Sequence, residues 1–267
     1  MDLRNMNNNV ENKDKTLVLI PGSTGEVGLE YFNYFSQFDD KFDTFGFTSN
    51  LKSVSKQTIL VDFLNPLSVN KCLNGLDIEQ YKSLILIHCI GKDEFENWGY
   101  PISDSHDHSF TKPDIYASNF QTYQHVSEGI LKQFSDKIKF VVIGGTRDSE
   151  ITNPYQQSYS NSKNELRELM REQVIEYSNV SSLVINVSSI DTGGDLKGRP
   201  FSDTKHWLKL DELLLRTREI IPLDGHNSYS ELTVLNPVLK FDKASFYSDS
   251  ETFRRRMKEV HNIVYKV

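Results

Sequence analysis

The chain has 267 residues, 37% of them hydrophobic and 25% charged, and a formal net charge of −7, which argues against the basic surface of a nucleic-acid-binding protein. Two cysteines, Cys72 and Cys89, are too few for a disulfide framework or a four-thiolate zinc site, and no metal site is expected. No stretch approaches the roughly 20 apolar residues of a membrane span, and the opening segment lacks the apolar middle of a signal peptide, so a disordered tail over residues 1–14 and a cytoplasmic location are expected.

The first apolar run, Thr16 to Ile20, meets Pro21-Gly-Ser-Thr-Gly-Glu-Val-Gly28, and helical periodicity follows through Val27, Tyr31 and Tyr34. Extended segments are predicted from Thr44 to Thr48 and from Thr58 to Val61, with a helix after Asn65 and another strand from Leu84 to Ile90. Beyond a polar loop, Ile115, Asn119, Tyr123, Val126 and Ile130 share one helical stripe. Further strands are predicted over Phe140 to Ile143, Leu183 to Val187 and Leu232 to Leu235. Short apolar runs without alternation suit strands buried on both faces, and the helices between them suit right-handed crossovers. The expected fold is therefore α/β, a doubly wound parallel sheet with helices on both faces. One domain is expected over residues 15–240, followed by a helical extension over 241–267 whose stripe is Phe253, Met257, Val260 and Val264.

Three glycines, Gly22, Gly25 and Gly28, lie between the first strand and the first helix. Glycines there permit a tight turn and close backbone approach, and the helix N-terminus attracts pyrophosphate. The spacing is GxxGxxG rather than GxGxxG, and many strand–helix turns contain glycine, so the loop alone does not define a dinucleotide site. After the second strand the chain has no carboxylate to bind the ribose of NAD; Ser49, Asn50 and Lys52 suit a 2′-phosphate, which favours NADP(H), while Glu26 pulls toward NAD(H).

Tyr159 and Lys163 are four residues apart in a strongly helical segment, hence on one face, and Leu166, Met170 and Val174 continue that face inward. A cation beside a phenol favours its ionised form, so the pair suits general acid–base work. With 12 tyrosines and 20 lysines, composition alone supplies about one such spacing, and an ordinary amphipathic helix with a snorkelling lysine is the plain alternative. The cluster Asp104, His106, Asp107 and His108 has no standard zinc spacing and suits a polar loop. Cys89 lacks an evident cationic activator and is not expected to be reactive.

Taken together, these residues make the chain resemble the short-chain dehydrogenase/reductase superfamily from about Thr16 to Pro237. Gly22, Gly25 and Gly28 match its glycine loop, in which Ser23, Thr24, Glu26 and Val27 would also line the cofactor. Asp62, followed by Phe63, matches the aspartate near the adenine. His88, Cys89, Ile90 and Gly91 stand where the family has Asn-Asn-Ala-Gly. Asn119, Thr146, Tyr159 and Lys163 match the catalytic set, with intervals of 27, 13 and 4 residues that look like the family's own. Threonine stands for the usual serine at Thr146, and the usual Pro-Gly after the sixth strand is replaced by Asn186-Val-Ser-Ser-Ile190, where Ser188 or Ser189 would meet the nicotinamide carboxamide.

The resemblance implies hydride transfer between nicotinamide and a small carbonyl or alcohol substrate. Tyr159 would be the proton donor, Thr146 a second hydrogen bond to the same oxygen, Lys163 the ribose and tyrosine partner, and Asn119 the support of a water linked to Lys163. Its rivals are a non-catalytic NAD(P)-binding sensor or scaffold and a nucleotide-sugar epimerase or dehydratase. The family often forms homo-oligomers through the helices carrying Asn119 and Tyr159. Here the faces expected to point outward, Asn164, Arg167, Glu168 and Arg171 with Gln121, Gln124 and Glu128, are polar and would make a poor apolar contact.

Overall fold

Leu17 and Leu19 of the first strand pack into one hydrophobic cluster, Val18 and Ile20 into another, and all four are fully buried. Side chains alternate across a strand, so a run that is apolar at every position must be covered on both faces. A computed structural model describes residues 15–53, 58–93, 112–145, 157–194, 204, 207–222 and 227–236. Thr146, the 104–108 cluster, the first 14 residues and the tail from Pro237 lie outside them.

Among the described residues seven strands form one parallel sheet: β1 (Thr16–Pro21), β2 (Phe42–Thr48), β3 (Thr58–Leu60), β4 (Ser83–His88), β5 (Lys137–Gly145), β6 (Val180–Val187) and β7 (Tyr229–Val234). Their order is β3-β2-β1-β4-β5-β6-β7, so the winding direction reverses between β1 and β4. The crevice at such a reversal, beyond the carboxyl ends of the strands, is where doubly wound folds hold ligands.

The helices α1 (Glu26–Phe35) and α6 (Leu210–Thr217) bury Tyr31, Phe35 and Leu213 on one face of the sheet. On the other lie α2 (Pro66–Gly75), α4 (Thr122–Leu131) and α5 (Gln157–Glu176), with Val69, Tyr123, Val126, Leu166 and Met170 in the core. Each fully buried side chain of this size contributes about 1.5–3 kcal/mol. Asn65 caps α2 by accepting from the Leu67 N–H, a bond worth about 1 kcal/mol. All five residues of the stripe from Ile115 to Ile130 are buried, as periodicity predicts. The helix bearing them is not regular: α3 (Pro113–Tyr116) passes through a π turn, Ala117–Gln121, before α4.

β2 starts two residues and β4 one residue earlier than predicted, and three strands start three residues earlier. β5 begins at Lys137, β6 at Val180 and β7 at Tyr229, because polar side chains near the strand ends find partners on neighbouring segments. Lys139, for example, donates to the Ile220 carbonyl and Ser181 to the Ile138 carbonyl. The outward placement expected for Arg167 is wrong: its side chain is 2% exposed. α5 packs against β6, β7 and α3 as well as the sheet face behind Leu166, so its buried arc is wider than one amphipathic stripe. Ser158, Ser162 and Gln173 are buried there too.

Candidate active site

The site is built where β1 and β4 part. Gly22 turns the chain at φ +83°, and a Cβ there would lie 2.9 Å from the Cys89 carbonyl carbon. A Cβ on Gly28 would lie 2.3 Å from the Gly22 oxygen, so α1 starts in direct contact with the loop. The Gly22 N–H donates to the Phe47 carbonyl, and the Cys89 N–H to the Pro21 carbonyl, which fixes the loop between β2 and β4. Gly25 caps α1 without a side-chain bond, leaving that helix end to its backbone donors.

The side chains of the loop are partly committed elsewhere. Ser23 is buried, with its hydroxyl donating to the Phe47 carbonyl at 3.4 Å and its N–H to the Ile20 carbonyl at 3.2 Å. Thr24 shares a hydrogen bond with Thr48, whose hydroxyl also accepts from the Asn50 N–H. Glu26 accepts from the Gly193 N–H with both oxygens at 2.9 Å, tying α1 to the segment after β6. That link joins residues 167 positions apart and has no local signature.

At the end of β2, Ser49 and Asn50 are exposed, and Asn50 Oδ1 accepts from the Lys52 N–H. No acid occurs among residues 47–53. Beyond β3, Asp62 accepts from the Leu64 N–H in a tight turn, and the Phe63 carbonyl is bonded to His125 Nδ1. Ser189, after β6, accepts through its carbonyl from the Leu208 N–H.

The end of β4 meets two helices. A Cβ on Gly91 would lie 3.3 Å from Asn119 Oδ1 and 3.6 Å from Lys163 Nζ, so three of the expected residues converge there. The Asn119 side chain clasps the backbone of Lys92: Oδ1 accepts from its N–H at 2.7 Å and Nδ2 donates to its carbonyl at 3.0 Å. Nδ2 also donates to Ser162 on α5. Asn119 sits within the π turn, a feature frequent at functional sites. On α5, Lys163 is 5% exposed, donates to the Ile143 carbonyl at 3.0 Å, and has its Nζ 5.7 Å from the Tyr159 ring centroid. Tyr159 is half-buried.

Two neighbours of the lysine are held neutral. Burial pushes the Cys89 thiol up to about 12 despite the opposing charge of Lys163, so it is a thiol rather than a nucleophile. Burial, aided by Lys163, lowers the pKa of His88 to about 3. The arrangement can thus present a phenol, beside a desolvated ammonium, to a substrate oxygen, with an anion-attracting loop close by. Sequence reasoning missed Lys92, Thr122, Ser162 and Arg167; only the buried-arc geometry of α5 and the π turn bring these to the site. Among the described residues no group of three or more His, Cys, Asp or Glu side chains could hold a metal ion, and no helix is long and apolar enough to cross a membrane.

Solved structures that share this doubly wound fold include short-chain dehydrogenases/reductases, so the fold that the resemblance implies is borne out. Thermoplasma acidophilum aldohexose dehydrogenase, solved ligand-free, is 17% identical; the match covers 84% of this chain and 94% of that one, at a TM-score of 0.62. The alcohol dehydrogenase of Thermococcus sibiricus, complexed with 5-hydroxy-NADP, is 16% identical over 85% and 99% of the two chains, at 0.63. Actinorhodin polyketide ketoreductase with NADPH is 12% identical over 85% and 98%, at 0.66. No protein-family model matches the chain, and no curated protein does.

Proposed function

We propose that the protein is an NADP(H)-dependent oxidoreductase of the short-chain type, acting on the carbonyl or hydroxyl group of a small molecule. The observation that carries this reading is the convergence of Gly91, Asn119, Lys163 and Tyr159 beside the glycine loop. The residues present fit a dinucleotide. Gly22 lets the loop backbone approach closely, α1 begins without a capping side chain, and no carboxylate follows β2 to repel a 2′-phosphate.

The bound cofactor would supply the hydride. The loop from Gly22 to Gly28 would hold the pyrophosphate through the backbone N–H groups of the first turn of α1, with Ser49, Asn50 and Lys52 at the 2′-phosphate. Asp62 and Phe63 would border the adenine, with Ile90 and Gly91 along the ribose, and Ser189 at the carboxamide. Tyr159 would hold the substrate oxygen and give up its phenolic proton as the alkoxide develops, and Thr146 would donate to the same oxygen. The Lys163 ammonium would lower the cost of phenolate formation, and its bond to the Ile143 carbonyl fixes it for that task. Asn119 would keep the Gly91–Lys92 turn open beside Lys163 through its clasp on Lys92.

Calorimetric titration tests the cofactor half of the reading: NADPH should bind more tightly than NADH, and equal affinities would remove the argument from Ser49, Asn50 and Lys52. A second expectation concerns Glu26, whose carboxylate stands in the first turn of α1. Glu26→Gln keeps an oxygen for the Gly193 N–H and removes a negative charge from the helix end where the pyrophosphate would sit. Its NADPH affinity should rise about two- to fivefold, the range of a helix-end charge effect. An unchanged dissociation constant would refute that placement.

A further inference from the structure

One turn beyond Lys163, α5 carries a second buried cation. The Nη2 of Arg167 donates to Asn186 Oδ1 at 2.6 Å and to the Gly145 carbonyl at 3.4 Å, while Nη1 donates to the Lys163 carbonyl at 3.4 Å. Its Nε lies 3.7 Å from Glu231 Oε2. Glu231, on β7, also accepts from Asn186 Nδ2 at 2.7 Å, from the Tyr229 hydroxyl at 2.5 Å and from Arg171 Nη2 at 3.2 Å. Arg171 in turn lies 4.6 Å over the Tyr229 ring.

A buried arginine is costly to desolvate, and whole buried ion pairs can often be replaced by apolar side chains of similar volume without loss of stability. The sheet nevertheless makes room for this one. Gly144 pairs with Asn186 in the β5–β6 register, and a Cβ on Gly144 would lie 2.8 Å from both Arg167 Nη2 and Asn186 Oδ1. The ends of β5 and β6 are thus bound to α5 by one planar fork, whose rigid donor geometry an ammonium does not reproduce. From those ends the chain continues into Thr146 on one side and into Ser188 and Ser189 on the other.

We propose that Arg167, braced by Asn186 and Glu231, is a positioning residue. It sets the spacing between the Tyr159–Lys163 face of α5 and the ends of β5 and β6 that lead to the substrate oxygen and the carboxamide. The inference rests on the oxidoreductase reading above and adds to it a residue that touches neither substrate nor cofactor.

The test uses the full chain and three variants: Arg167→Met, Arg167→Lys and Glu231→Gln. Thermal unfolding, NADPH affinity, steady-state reduction of a carbonyl that the wild type accepts, and amide exchange at residues 143–145 and 186–187 are measured on each. Arg167→Met should hold its unfolding midpoint and bind NADPH within about twofold, yet lose up to about 10² in kcat, the scale of a misplacement near 1 Å. Arg167→Lys should recover only part of that loss. Glu231→Gln, on the partly exposed edge strand, gives a milder fall in kcat and a reading even if Arg167→Met does not fold. Turnover that is unchanged, or that falls only with the folded fraction, overturns the inference. If the wild type reduces no carbonyl, the oxidoreductase reading fails by itself and exchange decides: faster strand-end exchange in Arg167→Met at an unchanged midpoint sustains the link, and unchanged exchange overturns it.

Discussion

Tyr159→Phe should lower turnover by about 10² or more, the usual scale of general acid–base catalysis, while leaving NADPH affinity almost unchanged. The substitution removes one hydroxyl and keeps a half-buried ring whose centroid lies 5.7 Å from Lys163 Nζ. Lys163→Ala should harm turnover and affinity together, since that ammonium is assigned both the phenol and the ribose. It also loses the bond that pins α5 to the Ile143 carbonyl. Thr146→Ala should slow turnover, whereas Thr146→Ser should keep or raise it, because serine retains the hydroxyl without the methyl. Cofactor binding and steady-state kinetics on these four variants separate an enzyme from a sensor. In a sensor Tyr159→Phe is silent in every assay and no carbonyl consumes NADPH.

The second large effect is on stability against pH, and it comes from His88. The imidazole is buried at the end of β4, with Tyr123 edge-on at 5.7 Å. Thr122 gives its hydroxyl proton to the Ser118 carbonyl at 2.7 Å, so in its 3.0 Å contact with His88 the imidazole Nε2–H is the donor. Nδ1 then carries a lone pair, and no donor meets it among the described residues. Burial and the charge of Lys163 lower the pKa from 6.5 to about 3. The folded value is thus below the unfolded one. The stabilisation is complete above about pH 6.5 and is lost progressively below it, as the unfolded chain takes up a proton that the folded protein refuses.

The slope is about 1.4 kcal/mol per pH unit, so wild type should lose roughly 2–3 kcal/mol between about pH 6.5 and 4.5 that a His88→Asn variant does not. Asparagine can still donate to Thr122. Denaturant unfolding of both proteins at intervals across that range gives the difference directly. Parallel stability curves would show that His88 is protonated in the folded state.

The same residue shows how far a motif reaches. His88 occupies the place of an asparagine, and its position at the buried end of the fourth strand was legible from the resemblance. Its tautomer and its neutrality were not, because they depend on Ser118, within a π turn that periodicity does not reveal, and on Thr122, which follows it at the start of α4. Arg167 is the opposite case. Its charge suggested solvent, and the misplacement followed from treating α5 as a helix with one buried stripe. Residues on α3, β6 and β7 widen that buried arc, and the pattern of α5 alone contains none of them.

By itself, the sequence determined the alternation of strands and helices, the turn at Gly22, and the pairing of Tyr159 with Lys163. Each of these is set over a few residues: by apolar runs buried on two faces, by a backbone conformation only glycine adopts freely, and by the four-residue repeat of a helix. Only the tertiary structure decided that β7 lies beside β6, bringing Glu231 to Arg167, and that Glu26 reaches Gly193. Polar partners far apart in the chain choose one another by the geometry of the packed sheet, since burial forces each group to find whichever donor or acceptor the fold has put within reach.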